Sequence, residues 1–318
     1  MKKELSNYIK QQALDVGFDA CGITKAEFLK EDSVFFSHWI AQGFHSEMSY
    51  LERNADKRYN PALLVDDCKS IIVVALNYYP QEHQQGIGIK IAKYAFSKID
   101  YHTVLKNKLL ELKNRIVTAY GEECFSASQQ HIFVDSAPVL ERRLGEKAGL
   151  GWIGKNKMLI HPQLGSFFFL GELFINKELA YDAPIKNRCG SCTKCLEACP
   201  TKALSIQNGL DSNLCISYQT IENKKAISPE VTKHLSNYIF GCDICNDVCP
   251  WNKTRAKPHH HKELEPVPEI IHWSTTAWNN LLQAPFNSLF KYSAIKRAKF
   301  DKLKQNISFV INNTPTED

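Results

Sequence analysis

The sequence predicts a mixed α+β or α/β architecture in three parts: an α/β domain over residues 1–180, a cysteine-rich segment over 181–257 and a short helical tail over 258–318. Two observations support this division. Segments with helical periodicity alternate with short apolar runs up to about Ala180. Beyond that residue the composition shifts to Cys, Asn, Lys and Pro, which indicates a segment held together by something other than a hydrophobic core, such as ligated metal.

The elements of the first part follow from periodicity, in chain order. Helical spacing predicts helices over 2–16, 34–42, 101–120 and 139–148, and apolar runs of strand length predict strands over 70–76, 130–134, 158–160 and 167–174. These strands are too short to fix their order. Gly149, Gly151 and Gly154 have the G-x-G-x-x-G spacing but follow a helix rather than a strand, so a Rossmann nucleotide site is not supported.

The N-terminus lacks the apolar run of an export signal. The most apolar stretches are strand-length, far below the roughly 20 residues that span a bilayer. The chain is therefore expected to be soluble and cytoplasmic, with no membrane partner. Because thiols stay reduced in that compartment, the eleven cysteines indicate metal ligation rather than disulfides.

The cysteine spacing between 189 and 250 is typical of a ferredoxin-like domain with two [4Fe–4S] clusters. The first group spells C-x2-C-x2-C-x3-C-P, in which the fourth cysteine serves the other cluster. The second group has Ile239 where a fourth cysteine would stand, so Cys215 is expected to complete the set. The predicted sets are Cys189, Cys192, Cys195 and Cys249 on one cluster, and Cys199, Cys215, Cys242 and Cys245 on the other.

Two all-cysteine zinc sites are the structural alternative, since they also use eight thiolates. Zinc modules usually separate two C-x2-C pairs by a long spacer, however, and do not crowd three cysteines into one loop that ends in C-P. Iron–sulfur clusters are therefore favoured. The three remaining cysteines are interpreted as small buried hydrophobes: Cys21, Cys68 and Cys124.

Asp135 is the most informative residue of the first part. It ends an apolar strand and precedes Pro138 and a charged helix, so its carboxylate should lie at an edge where α/β sheets bind ligands. The alternative is an N-cap role, shared with Ser136. The glycines of 149–154, Trp152 and the aromatic run 167–169 could line a bulky ligand or simply form turns and core. Spacing alone leaves these alternatives open.

A joint pattern of motifs resembles the epoxyqueuosine reductase family. The segments are DSAPVLERR at 135–143, AGLGWIGKN at 148–156, GSFFFLGE at 165–172 and the AKY…DYH pair within 92–102, together with the cysteine set. The resemblance runs from the N-terminus to about Asn306. It implies a cobalamin-dependent, two-[4Fe–4S] oxidoreductase that removes the epoxide oxygen at the tRNA wobble base, the last step of queuosine synthesis.

The resemblance also implies roles for individual residues. Asp135 would be the catalytic proton donor, with a pKa raised by burial against the cobalamin ring. The sequence has no D-x-H-x-x-G motif, in agreement with cobalamin bound without its lower base on cobalt. The expected cobalamin-binding residues are Arg58, Lys98, Tyr101, His102, Asp135, Trp152, Gly154, Lys155, Asn156 and Ser166.

The sequence differs from the family pattern in two places, and two other functions remain as alternatives. Lys157 stands where the family motif continues with Thr, and longer relatives have a helical-repeat extension that this short form lacks. The basic residues within 291–304 are predicted to lie on one helix, which is either a solvated face or a contact for tRNA phosphates. Lys253, Arg255 and Lys257 form the second candidate for such contacts. A monomer reduced by an unidentified electron donor is expected. The alternatives are a corrinoid-dependent reductase of a small molecule, similar to reductive dehalogenases, and a non-catalytic ferredoxin with an accessory domain.

Overall fold

A computed structural model describes residues 2–84, 88–125 and 131–313. Its strands are β1 (Ala20–Lys25), β2 (Ser70–Asn77), β3 (Lys90–Ile91), β4 (Ile132–Phe133), β5 (Trp152–Ile153), β6 (Leu159–Ile160), β7 (Phe168–Ile175), β8 (Leu204–Ser205), β9 (Gly209–Leu210) and β10 (Tyr238–Phe240). Its helices are α1 (Lys2–Asp15), α2 (Lys30–Ala41), α3 (Ala55–Tyr59), α4 (Tyr101–Tyr120), α5 (Glu141–Lys147), α6 (Lys194–Ala198), α7 (Ile216–Ile221), α8 (Pro229–Thr232), α9 (Ile244–Asp247), α10 (Pro250–Arg255), α11 (Pro268–His272), α12 (Thr275–Asn279), α13 (Gln283–Leu289) and α14 (Lys299–Asn313).

The central sheet has four strands in the order β1-β2-β7-β4, and every neighbouring pair is antiparallel. All residues of β2 are buried because helices cover both faces of the sheet. One face packs with α1 and α4, and the other packs with α5. Asp135 follows the end of β4, as expected, but antiparallel strands end at alternate edges, so this sheet has no common carboxyl edge.

A second core joins distant parts of the chain. Strand β3 pairs in parallel with β10, and the apolar residues around this pair pack against the helices that follow residue 267. In α14, Leu303, Ile307 and Val310 are buried at helical spacing. The tail is therefore packed against the region that holds Cys242 and Cys245. This core draws on all three predicted parts of the chain.

Comparison with the predicted elements shows where periodicity was informative. Helix α4 has the predicted bounds. Strand β1 was not predicted, because ACGITK has neither strict alternation nor a long apolar run. The basic residues of 291–304 do not share one helix: a 3₁₀ helix spans Ala294–Ala298, and Lys299 begins α14 with φ 60°. Residue 130 of one predicted strand lies outside the described residues. In the described part of the chain, no helix combines the length and apolar character that crossing a membrane requires.

Candidate active site and cluster-binding segment

A cavity of about 1010 Å³ lies where the first part of the chain meets the cluster segment and the tail. It brings together groups that are far apart in sequence. Asp135 and His102 come from the first part, Cys215 precedes α7, and Arg297 comes from the tail. The cavity therefore places the candidate proton donor in the same space as a candidate cluster ligand.

Asp135 is held at the cavity by its side chain. The carboxylate oxygen Oδ2 accepts a hydrogen bond from the Tyr101 hydroxyl at 2.9 Å and lies 3.3 Å from His102 Nε2. Its backbone is left-handed, with φ 54°. Helix α5 begins at Glu141 with Leu140 at its N-cap and no side-chain cap, so the N-cap interpretation of Asp135 is wrong.

His102 lies between two carboxylates. Its Nδ1 is 2.7 Å from Asp100 Oδ1, and the same Asp100 oxygen caps α4 by accepting the His102 backbone N–H. Burial alone would lower the pKa of His102, but hydrogen bonds to Asp100 and Asp135 outweigh it and raise the pKa to about 9. The imidazole therefore carries a proton on both nitrogens at neutral pH.

The pKa of Asp135 moves opposite to the expectation. Burial would raise it, yet hydrogen bonds from His102 and Tyr101 outweigh burial and hold the pKa below its usual value. The raised pKa that was expected for Asp135 buried against the cobalamin ring stays a prediction. Asp135 and His102 form an ion pair in which the imidazole holds the proton.

Tyr101 forms the aromatic floor beside this pair. Its ring stacks on Phe169 with centroids 4.2 Å apart and on His102 with centroids 4.1 Å apart. Burial, together with the charge of Asp135, raises the pKa of the Tyr101 hydroxyl. The hydroxyl therefore stays protonated and keeps donating to Asp135.

The predicted cobalamin-binding residues do not all lie at the cavity. Tyr101, His102 and Asp135 line it. Lys98 is exposed and outside the lining, and Arg58 is buried with its Nη2 donating to the Tyr50 carbonyl at 3.2 Å. The other predicted residues lie outside the lining as well and contact one another or the cluster segment: Trp152, Gly154, Lys155, Asn156 and Ser166.

A buried amide network joins the GKN motif to the second cysteine group. Asn156 Nδ2 donates to Asn246 Oδ1 at 3.1 Å, and the Ser166 backbone N–H donates to Asn252 Oδ1 at 2.6 Å. Asn252 in turn donates to Ser166 Oγ at 2.8 Å. Sequence analysis missed Asn246 and Asn252. Their position among the cysteines of the second group was the available signal, because ligand loops need partners for their buried polar groups.

Lys155 lies over the first cysteine group. Its Nζ donates to the carbonyls of Gly190 at 2.8 Å and Cys192 at 2.9 Å. A positive charge beside a cluster favours the reduced state, which carries one more negative charge. The replacement Lys155→Met is therefore expected to lower the potential of the cluster bound by Cys192 by about 60 mV, a tenfold change in a one-electron equilibrium.

A redox titration followed by electron paramagnetic resonance measures this shift, and the other cluster of the same protein is the internal control. Equal shifts of both clusters, or none, would contradict the role of Lys155.

The eight predicted ligands fall into two groups by their mutual electrostatic effects. In the first group, Cys249 and Cys189 raise the pKa of the Cys195 thiol. Cys189 and Cys192 raise the pKa of the Cys249 thiol. In the second group, Cys199 raises the pKa of the Cys215 thiol. Cys199 and Cys215 raise the pKa of Cys242. The pKa of Cys245 is raised by Cys199, Cys215 and Cys242. The division coincides with the two sets proposed from spacing.

The donor set fits iron–sulfur clusters. Burial raises the pKa values of Cys242 and Cys245, and neighbouring thiols and Asp243 raise them further, so ionised thiolates here need a bound cation. Within the described residues, no three His, Cys, Asp or Glu side chains are grouped to hold one metal ion, as four zinc ligands would be. Thiolates of a cubane bind different iron atoms and need not converge on one point.

Comparisons with known proteins agree with this geometry. The model of a 4Fe-4S double cluster binding domain matches residues 188–252, and the model of Epoxyqueuosine reductase QueG, DUF1730, matches residues 58–136. An epoxyqueuosine reductase of Cellulophaga algicola is 43% identical over 309 residues, which cover 97% of this chain and 99% of the relative.

Solved structures of the same family share the fold. A crystal structure of epoxyqueuosine reductase with an epoxyqueuosine-modified tRNA-Tyr stem loop has a TM-score of 0.86 and 29% identity, covering 98% of this chain and 81% of that one. The Bacillus subtilis enzyme, solved with its catalytic aspartate loop swung out of the active site, has a TM-score of 0.85 and 29% identity, covering 98% and 82%.

A reductive dehalogenase is more distant. It has a TM-score of 0.50 at 14% identity and covers 96% of this chain but 38% of that one, so the likeness concerns the fold alone. Near-complete mutual coverage at 43% identity decides the assignment: this chain belongs to the epoxyqueuosine reductase family of oxidoreductases and has a domain for two [4Fe–4S] clusters.

Proposed function

We propose that this chain reduces epoxyqueuosine to queuosine at the wobble position of tRNA, with electrons that pass through two [4Fe–4S] clusters to cobalamin. The observation that supports it most is the shared cavity, which has Asp135 and His102 on one side and Cys215 on the other. Proton transfer and electron transfer can therefore meet at one substrate. A small-molecule reductase of the dehalogenase type has no such support, because that likeness is confined to the fold.

The cavity is suited to a large cofactor. Its volume of about 1010 Å³ is at the upper end of the roughly 300–1,000 Å³ usual for ligand pockets. Tyr101 and Tyr94 offer aromatic surface to a macrocycle, and Asp135 and His102 offer hydrogen bonds. When bound, cobalamin supplies a reduced cobalt that can deliver electrons to an epoxide. The predicted contacts of Arg58, Lys98 and the GKN loop remain proposals.

Three aspects of organisation belong to the same proposal. The chain is proposed to act as a monomer. The boundaries near residues 180 and 257 separate the cobalamin-binding domain, the ferredoxin-like domain and the helical tail. The electron donor is a reductant of unassigned class that would approach the partly exposed first cysteine group.

The described residues can supply one of the two protons that the reaction needs. Removing the epoxide oxygen as water consumes two electrons and two protons and leaves a carbon–carbon double bond. His102 Nε2 holds a proton 3.3 Å from the ionised Asp135 Oδ2, which faces the cavity with half of its side chain exposed and would accept that proton and pass it to the epoxide oxygen. Solvent that reaches the exposed part of Asp135 would supply the second proton. Asp100 keeps the imidazole oriented and charged.

The pH dependence of this relay can be tested with Asp100→Asn. A group with a raised pKa keeps its proton to higher pH, so wild-type kcat/KM should fall above about pH 9 as His102 loses its proton. Asn at position 100 can still cap α4, but it lacks the negative charge that raises the pKa of His102. The pH at which kcat/KM begins to fall should therefore move toward about 6.5, the ordinary pKa of a His side chain. An unmoved limb would show that His102 is not the proton source.

The tRNA-binding surface is proposed at the rim of the cavity. Lys291 and Lys296 are exposed there, whereas Arg297 pairs with Glu222 at 2.6 Å and Lys304 Nζ donates to the carbonyl of Asn279. The predicted continuous basic helix face is therefore absent from the described residues. The two exposed lysines at the rim suit phosphates of an anticodon stem, and the relative solved with a tRNA stem loop supports this substrate class.

Replacing Lys291 and Lys296 together with Ala is expected to raise KM for tRNA with little change in kcat. The salt dependence of binding should flatten by about 0.7 in logarithmic slope for each phosphate that the protein no longer neutralises. Titrations of tRNA binding at several salt concentrations measure this effect. Lys3 and Lys30, exposed and outside the cavity lining, provide the control pair. An unchanged slope in the rim variant would place the tRNA elsewhere.

The activity itself is tested by incubating the anaerobic protein with a strong reductant, cobalamin and tRNA that contains epoxyqueuosine. Mass analysis of the digested nucleosides should show the loss of one oxygen atom. Omission of cobalamin should stop the reaction. Retention of epoxyqueuosine, with cobalamin bound and both clusters present, would refute the proposed function.

A further inference from the structure

A pair of glutamates lies behind Asp135, on the side away from the cavity. Glu172 is in the middle of β7, fully buried, opposite Val73 and Phe133 on the neighbouring strands. Among the described residues, no N–H or O–H group donates to its side-chain oxygens, and the polar group that they meet is the Glu141 carboxyl. Glu141, the first residue of α5, is the nearest acid and the strongest electrostatic influence on it. Neither residue has a part in the reaction described above.

Glu141 holds the backbone of the Asp135 loop. Its Oε1 accepts a hydrogen bond from the Asp135 backbone N–H at 2.5 Å. Two other backbone hydrogen bonds of this loop join residues of the loop to each other. Ser136 N–H donates to the Val134 carbonyl at 2.5 Å, and Val139 N–H donates to the Ala137 carbonyl at 2.8 Å. Asp135 also has φ 54°, which is unfavourable for a residue with a side chain. An external acceptor at this N–H therefore stabilises a conformation that the loop does not favour by itself.

The two carboxyl groups cannot both be ionised where they lie. Glu172 sits on the sheet face that packs with α5, where its neighbours are apolar side chains. Burial, together with Glu141, raises the pKa of Glu172 well above its usual value; burial and Asp135 also raise the pKa of Glu141, but the hydrogen bond from the Asp135 N–H opposes that rise. The pair therefore holds one proton, on Glu172, and a protonated Glu172 can donate to Glu141. Glu141 is then an ionised acceptor for Asp135 N–H, which is a stronger acceptor than a neutral one.

We propose that Glu141 and Glu172 act as a unit, an acid–carboxylate pair that holds the Asp135 loop at the cavity, and that both are positioning residues for the proton donor. The inference rests on the proposed role of Asp135. The loop has a second anchor in front, where Tyr101 and His102 hold the carboxylate. Loss of the rear anchor should release the loop while leaving the other lining residues of the cavity in place.

Replacing both glutamates with apolar residues tests whether the pair positions the Asp135 loop or only stabilises the fold. A buried acid pair that is replaced by apolar residues of similar size usually leaves stability unchanged or raised. Glu141→Met combined with Glu172→Met should therefore melt at or above the wild-type temperature. In the same protein the amides of residues 133–140 should exchange with deuterium at least about tenfold faster, since a hydrogen bond to a charged acceptor is removed. The value of kcat should fall about tenfold or more with KM for tRNA little changed.

Glu172→Gln is the matched control. Its carboxamide N–H can still donate to Glu141, so loop exchange and kcat should stay within about twofold of wild type. If the double variant does not fold, Glu141→Ala, at a partly exposed position of the helix start, removes the acceptor alone and should give the same faster exchange.

Amide deuterium exchange is measured on the cluster-containing protein without cobalamin. It therefore tests the role of Glu141 and Glu172 even if the proposed reaction fails. Wild-type exchange in a folded double variant or in Glu141→Ala would overturn the inference. So would a Glu172→Gln variant whose loop is as exposed as that of the double variant.

Discussion

Replacing Asp135 with Asn is expected to lower turnover by about 10²–10⁴-fold, the usual contribution of a general acid. Asn keeps the shape and can still accept the hydrogen bond from the Tyr101 hydroxyl, but it cannot pass on a proton. Cobalamin should bind to the variant as it does to wild type, because no bulk or aromatic surface is removed. Single-turnover kinetics on modified tRNA measure the chemical step, and a spectral titration measures cobalamin binding.

Ser136→Ala is the matched control for that experiment. Its hydroxyl donates to the Val134 carbonyl within the same loop and does not line the cavity, so turnover should stay within a few-fold of wild type. Activity of Asp135→Asn close to wild type would move the proton donor to another group, and His102 would be the first candidate.

Replacing Cys215 with Ala is expected to abolish turnover by removing one cluster. The set of Cys199, Cys215, Cys242 and Cys245 would keep three thiolates, and a cubane needs four ligands. Iron in the anaerobic protein should fall from about eight atoms to about four. Because Cys215 also lines the cavity, the cluster proposed to be lost is the one whose ligand set reaches the cavity. Iron and sulfide analysis, with the absorption of the brown protein, measures this loss.

Cys68→Ala provides the control. Cys68 is buried in the core on one face of the sheet, where its thiol donates to the Ser70 carbonyl at 3.4 Å, and it belongs to neither set. Its replacement should leave iron content unchanged. Full iron content in Cys215→Ala would show that another residue is the eighth ligand.

Local pattern predicted those parts of the molecule that depend on neighbours in sequence. Helix α4 follows from its apolar spacing and begins at the Asp100 cap. The two cysteine sets follow from counting ligands, since the second group has one thiolate too few and Cys215 lies between the groups. Both are properties of short segments, in which spacing determines which side chains can meet.

Pairing between distant segments could not be read from the sequence. Strand β2 pairs with β1 on one side and with β7, which is distant in the chain, on the other, so the order and the antiparallel sense of the sheet could not be predicted from sequence. The same limit applies to the cavity, to which the tail contributes Lys296 and Arg297. It also explains why the contacts of Lys155 and Asn156 with the cluster segment were not predicted.

The central claim is that the cofactor which receives the electrons lies in the cavity shared by Asp135 and Cys215. Electron paramagnetic resonance of the partly reduced protein with bound cobalamin tests it most directly. Because a paramagnetic cluster held by Cys215 would lie beside the cobalt, the cobalt signal should be broadened or split in wild type and sharp in Cys215→Ala. A sharp, unperturbed cobalt signal in wild type, with both clusters present and cobalamin fully bound, would contradict the claim.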